Sequence, residues 1–449
     1  MSFFDWGLFA DAESFLRTSL NGLLSRNSAA ERVAFEIQQR TSTSIFDWVD
    51  HLTLPAENVD ADELVKMGFE EQKKISDADV VFRVQGSTLF PLTLKSDRGS
   101  EVALAVEDVE NFRKIIGKEK GIQGLPDSNF RELTLSSEND LTFSVLERRG
   151  SSSYMIENSD DIDSYVEALN VLGSRERRFA SDEEGILETE KLLKTFESKL
   201  SKPRLADAFF RTERRYWESR NQAAKVQKNR QDKVGVGWGN VDHHTFRSSR
   251  QNFATLVRIF EYLGLKPRER FHAGAQAGWG AQIIEDSDGR NVVFADVDLS
   301  AEEKEADFAH RGLEPRQELG TVGLWVGLHG ESLLEAGMHH LAARFRFDNV
   351  REDLKAMGVG MMKPFSNFPF LKQAFTETEK WQVQNERLAL LLRKHNLSRE
   401  QASTFVREGA VASHLENIQR GQGFKGFNQN SVSAIIKWTN PLAQEARYA

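Results

Sequence analysis

The chain holds ten histidines and no cysteine, so any bound metal must rest on imidazole and carboxylate. Two histidine pairs stand out, His243-His244 and His339-His340, each with an arginine four residues beyond one member: His243 to Arg247 and His340 to Arg344. On a strand His243, Thr245 and Arg247 share one face, while His244 and Phe246 take the other. His340 and Arg344 share a face on either a strand or a helix. A lone histidine on a buried face ordinarily satisfies a core hydrogen bond, whereas two matched His-x-x-x-Arg units point to a site. Neutral imidazoles and one carboxylate bind iron(II), manganese, nickel or zinc, and two histidines with one carboxylate leave positions open for substrate and dioxygen. A neighbouring arginine grips a substrate carboxylate through two parallel N–H bonds. Arg247 and Arg344 are therefore the candidate catalytic residues, and His243 and His340 the candidate metal ligands. Three carboxylates compete for the third position: Asp296 and Asp298, on one strand face with Val292 and Phe294, and Glu416. The glycine-rich stretch from Ala273 to Gly280, with Trp279, is a candidate pocket loop.

The absences narrow the chemistry. Without cysteine there is no disulfide scaffold, thiolate nucleophile or iron–sulfur cluster. The sequence has no Gly-x-Gly-x-x-Gly before a helix, no Gly-Lys-Ser/Thr loop, no Gly-x-Ser-x-Gly elbow and no His-Glu-x-x-His helix. A net charge of −9 argues against a nucleic-acid surface. The one basic stretch, Arg211 to Lys233, is diluted by Glu213, Glu218 and Asp232 and is expected to be a solvated helix face. Met1 to Arg26 has helical apolar spacing interrupted by Asp5, Asp11 and Glu13, and no basic segment precedes it. It is expected to pack on the protein rather than to act as a signal or membrane span, in a cytoplasmic protein.

The elements that must position these residues repeat. From Ile45 the order is strand (to Pro55), helix (Ala61 to Met67) and three strands (Val80 to Val84, Leu89 to Leu94, Glu101 to Val106). From Asn240 the same order returns: strand Val241 to Arg247, helix Arg250 to Tyr262, and strands Lys266 to His272, Trp279 to Glu285 and Asn291 to Leu299. Val49-Asp50-His51-Leu52-Thr53 thereby aligns with Val241-Asp242-His243-His244-Thr245. Between the repeats, Asp161 to Arg230 has helical periodicity. Further on, Thr321 to Leu328 predicts an apolar strand, Ser398 with Gln401 a capping box opening a helix from Ala402 to Gln419, and Ser431 to Thr439 a closing strand. The expected class is α+β, with repeated βαβββ modules, a helical insertion and a helical C-terminal region. The expected divisions are 1–44 helices, 45–158 first module, 159–238 helical insertion, 239–300 second module and 301–449 C-terminal module.

On these residues and this element order the chain resembles the vicinal oxygen chelate superfamily, whose paired βαβββ modules curl around a divalent metal. A narrower similarity is to the 2-oxoadipate dioxygenase/decarboxylase family, through His243 to Arg247, His340-Leu341 to Arg344, the run Glu416 to Gly421, and Val432-Ser433-Ala434-Ile435-Ile436. That resemblance implies His243, His340 and Glu416 as iron ligands and Arg247 as a contact to the substrate carboxylate. It implies an Fe(II)-dependent dioxygenase/decarboxylase, with another divalent metal as the alternative, acting on a small carboxylate or 2-oxo acid with dioxygen. No nucleic-acid or membrane partner is expected, and a homodimer is the protein contact allowed for. A metal-dependent isomerase or lyase of the same fold, or a metal-free ligand-binding protein, are the rival functions.

Overall fold

The computed structural model describes residues 6–74, 79–95, 99–119, 121–154, 156, 160–273, 277–428 and 441–442. Its strands make two eight-stranded mixed sheets of one design. The first contains β1 (Val49–Pro55), β2 (Phe69–Lys74), β3 (Val80–Val84), β4 (Leu92–Lys95), β5 (Ser100–Ala105), β6 (Ile122–Gln123), β7 (Phe130–Glu138) and β8 (Leu141–Arg148), in the order β2-β3-β4-β1-β5-β8-β7-β6. The second is built from β9 (Val241–Arg247), β10 (Lys266–His272), β11 (Trp279–Glu285), β12 (Val292–Asp298), β13 (His340–Arg344), β14 (Ser366–Phe368) and β15 (Leu371–Phe375). An excursion carrying the small pair β16 (Lys380–Trp381) and β17 (Ala410–Val411) follows, and β18 (His414–Arg420) completes the matching order β10-β11-β12-β9-β13-β18-β15-β14.

Each sheet is two βαβββ modules joined back to back, so the fold carries four where the sequence pattern displays two. In every module the first strand runs parallel to the last, as β1 with β4, β5 with β8, β9 with β12 and β13 with β18. The modules meet along the antiparallel central pairs β1–β5 and β9–β13. The crossover helices Ala61–Lys66, Val109–Ile115, Phe253–Tyr262 and Phe347–Ala356 supply the length that a parallel return requires. Strand alternation sends Leu52, Val102, Leu104, Phe143 and Val145 of the first sheet into one core with the helices Ala10–Leu24 and Ser28–Thr41. In the second sheet Phe246, Val293, Leu341 and Leu415 join Phe209, Phe253 and Phe260 in another core. The opposite face of each sheet carries the polar residues. Among the described residues no helix is long and apolar enough to cross a membrane.

Two local expectations are corrected. Thr321–His329 is a helix, not a strand: eight of its nine residues are buried, and a helix buried all round has no apolar stripe to betray its period. The helix expected over Ala402 to Gln419 spans only Arg399–Glu408 and stops at Gly409, whose φ of 72° favours glycine. The residues beyond it enter the sheet as β18, in the slot between β13 and β15, which carries Glu416 out of a helix and into the sheet centre. The expected strand Ser431 to Thr439, with Val432 to Ile436, lies outside the described residues.

The basic stretch is also not a solvated face. The insertion folds as four helices, Ile162–Ser174, Asp182–Lys194, Lys202–Glu218 and Gln222–Asp232. Arg211 and Arg230 are buried within them, Arg211 paired to Asp207 at 2.8 Å and Arg230 to Asp353. Glu213 is fully buried between Arg175 (2.6 Å) and Arg177 (2.8 Å). Charges so far from water are tolerated only as a complete set. Glu213→Ala leaves two buried guanidinium groups uncompensated, and urea denaturation should show a loss of about 3–5 kcal/mol.

Candidate metal centre

The side chains at the middle of the second sheet come from three neighbouring strands. Ala342 of β13 pairs with His243 of β9 on one side and Glu416 of β18 on the other, and His340 pairs with Thr245. His243, His340 and Glu416 all point to the polar face, where their ligand atoms lie within 4.8 Å of one another and all three residues are buried. Glu416 Oε2 sits 3.1 Å from His340 Nε2 and 3.4 Å from His243 Nε2. Such separations suit neighbouring corners of a coordination shell with bonds of about 2.1 Å.

Each donor is held from behind. His243 Nδ1 meets Asp242 Oδ2 at 3.0 Å, and Arg420 grips Asp242 through Nε (2.8 Å) and Nη2 (3.0 Å). The other Glu416 oxygen accepts from Gln373 Nε2 at 2.8 Å, and Gln373 is itself fixed by the Ser366 hydroxyl at 3.0 Å. His340 contacts Thr245 Oγ1 at 2.8 Å through Nε2 and His339 Nδ1 at 2.9 Å through Nδ1. Phe294 and Phe427 pack against His243, and Phe375 against His340, so the donors face an apolar wall. A second group, His339, His340 and His414, also brings its ligand atoms within 4.8 Å, and the His414 ring stacks on that of His340 with centroids 4.8 Å apart.

The electrostatics match a cation-binding trio. Burial alone would raise Asp242, but Arg420, the His243 hydrogen bond and Arg344 hold its carboxyl well below the usual range. Burial also disfavours ionised Glu416, yet the hydrogen bonds and charge of His243 and His340 pull it far down. Burial works against protonated His243, and Asp242 and Glu416 outweigh it, so its pKa is raised. His340 is lowered, because there burial prevails over Glu416. A proton beside two carboxylates is what a divalent ion displaces on binding.

The remaining candidates sort differently. Arg247 lines the same pocket, is buried, and has Nε and Nη1 without a hydrogen-bond partner; its nearest carboxylate is Asp296 at 3.8 Å. Burial, offset by Asp296, brings its pKa down to about 10. Asp296 lines the pocket beside Arg247 but stands outside the His243–His340–Glu416 group. Asp298 turns away: it accepts from the backbone N–H groups of Gly320 (2.7 Å), Val322 (3.0 Å) and Gly323 (3.0 Å) and anchors the start of the buried helix. Arg344 is not brought to the pocket, because four strand residues separate it from His340 by about 13 Å where a helix would leave about 6 Å. It reaches Asp242 Oδ1 at 3.3 Å instead. Trp279 lines the pocket, while residues 274–276 of the expected loop lie outside the described residues. Gln373 carries no signal in the sequence, and Asp242 only its place in the repeated Val-Asp-His.

No family model and no curated protein matches the chain. Solved structures do. The 4-hydroxymandelate synthase of Streptomyces coelicolor aligns over 90% of this chain and 99% of its own, at 11% identity and a TM-score of 0.28. Methylmalonyl-CoA epimerase from Mycobacterium tuberculosis covers 41% of this chain and 89% of its own, at 9% identity and a TM-score of 0.23. The Streptomyces coelicolor epimerase covers 40% and 97%, at 14% identity and a TM-score of 0.21.

Asp296 provides a pH test. Burial, only partly offset by Arg247 and His243, raises its carboxyl from 3.8 to about 7. The folded state therefore holds a proton that the unfolded chain has released, so this group's contribution to stability is complete below 3.8 and lost as pH rises to about 7. Asp296→Asn should flatten that part of the stability–pH profile of the metal-free protein in urea titrations. An unchanged slope contradicts the assignment.

Proposed function

We propose that the second sheet carries a non-haem Fe(II) oxygenase site that acts on a small carboxylate, a 2-oxo acid, by dioxygenation coupled to decarboxylation. The observation that supports it is the convergence of two imidazole nitrogens and one buried carboxylate beside a buried arginine with two free N–H donors. Iron(II) bound there would supply Lewis acidity and one-electron chemistry with positions left open for substrate and dioxygen.

The chain's own residues do the rest. Asp242 fixes the ring and tautomer of His243, presenting Nε2 as a lone-pair donor. Gln373 occupies one Glu416 oxygen, so that Oε2 alone faces the histidines. Arg247 orients the substrate by donating from Nε and Nη1 to its carboxylate, and the guanidinium lies 5.4 Å over the Trp325 ring, which limits its swing. Phe271, Phe294, Phe365, Phe375 and Phe427 line the pocket and exclude water from the reacting groups.

Protein loaded anaerobically with iron(II) should hold an ion in the second sheet that His243→Ala removes, so that the variant retains about one iron(II) fewer per chain than the parent. Oxygen uptake with a panel of 2-oxo acids should be tied to release of carbon dioxide. Arg247→Gln should keep the iron and raise KM about tenfold or more, since its loss removes a charged hydrogen-bond pair. Iron retained without oxygen uptake would favour the isomerase or lyase alternative, and a folded chain that takes up no metal the ligand-binding one.

A further inference from the structure

The first sheet repeats the supporting structure of the metal centre around a different set of donors. In β1, Val49 pairs with Leu104 and His51 with Ala103, so Asp50 is an extra, bulged residue; in β9, Asp242 is bulged in the same way between Val241 and His243. Asp50 Oδ1 lies 2.8 Å from His51 Nδ1, as Asp242 holds His243. Arg148 clamps Asp50 through Nε and Nη2, both at 2.8 Å, from the register position that Arg420 has in β18. A buried aspartate, histidine and arginine kept in one geometry are costly to maintain unless the imidazole's outer nitrogen is used.

The donors around that nitrogen are hard oxygens. Strand register puts Glu101 at the place of His340, Ser144 at that of Glu416 and Glu132 at that of Gln373. His51 Nε2 lies 3.9 Å from Glu101 Oε2, a gap that one ion can bridge at metal–ligand bonds of about 2.0–2.2 Å. Ser144 donates to Glu101 Oε1 at 3.0 Å, and Glu132, opposite Leu146 in the register, lies on the same face as Ser144. Among the described residues no lysine or arginine forms an ion pair with either glutamate. Thr53, directly across from Glu101, and Thr93, paired with Thr53, are at most 1% exposed, yet their hydroxyls have no hydrogen-bond partner. Thr245, at the place of Thr53 in the second sheet, spends its hydroxyl on His340. Glu101 and Glu132 remain partly exposed, so an ion can reach them.

We propose that His51 and Glu101 ligate a second divalent cation, with Glu132 and the Thr53 and Thr93 hydroxyls holding the ion's water. One imidazole with two carboxylates and hydroxyls selects a harder ion than the two-histidine site, and Mn2+ is the fitting probe. This site does not depend on the oxygenase assignment.

The full chain, stripped with chelator, is titrated with Mn2+ while free Mn2+ is followed by electron paramagnetic resonance. The His243→Ala/Glu416→Gln variant, which keeps only His340 of the His243–His340–Glu416 trio, should still bind about one Mn2+ per chain. Adding Glu101→Gln and Glu132→Gln, which keep side-chain size, should weaken that binding at least tenfold while circular dichroism and melting remain native. Where the combined variant does not fold, Glu132→Gln added alone to the His243→Ala/Glu416→Gln background carries the same test, its side chain being only half-buried. A folded His243→Ala/Glu416→Gln protein that takes up no Mn2+, or first-sheet substitutions that leave Mn2+ affinity unchanged, overturn the proposal.

Discussion

A carboxylate buried at the centre of a sheet is the constraint from which the second half of the molecule is organised. Glu416 is 2% exposed, and leaving its charge there unpaired would cost several kcal/mol. It is compensated by His340, His243 and Gln373, which come from three different strands. That requirement brings β9 beside β13 and β13 beside β18, although β18 begins about 70 residues after β13 ends. The same side chains that neutralise the carboxylate are those that can ligate a metal, so the energetics of folding and the proposed chemistry rest on one cluster.

The two sheets show how one frame serves two donor sets. Both keep the bulged aspartate, the histidine after it and the arginine that clamps the pair. The bulge matters physically because the extra residue breaks strict alternation and lets an aspartate reach the ring of its own neighbour. Beyond that frame the sheets diverge: imidazole and glutamate under an aromatic lid in the second, two glutamates with serine and threonine in the first. Burial deepens the difference, since the second site is closed in by phenylalanines while the first is open enough to hold hydrated ions.

The inserted helices and the buried helix Thr321–His329 keep this frame stiff. Glu213 ties the insertion to the main body through Arg175 and Arg177, whose guanidinium groups also bond the backbone carbonyls of Leu333 and Leu334. Those carbonyls lie just upstream of His339 and His340, so the charge network helps to set where the histidine pair enters β13. Asp298 does similar work from β12: its carboxylate caps the buried helix, and a Cβ at Gly323 would come within 2.3 Å of it, which is why a glycine stands there.

The sequence by itself determined the α+β class, the βαβββ order and the pairing of His51 with His243, because strand alternation and helix periodicity are local properties. It also singled out His243, Arg247 and His340, since matched residue types at matched spacing survive without knowledge of the fold. It could not show that Thr321–His329 is a helix, because complete burial erases the periodic contrast. Nor could it place Glu416 on a strand, since the helix-forming run continues past Gly409 and only the vacant slot between β13 and β15 draws those residues into the sheet. Whether Asp296, Asp298 or Glu416 meets the histidines was left open for the same reason. Asp298 is claimed by backbone N–H groups 22 to 25 residues away, Asp296 lies beside Arg247, and Arg344 stays remote because a strand spaces four residues twice as far as a helix does. Register across strands distant in the chain is a tertiary property, and it alone decided which carboxylate stands between the two imidazoles.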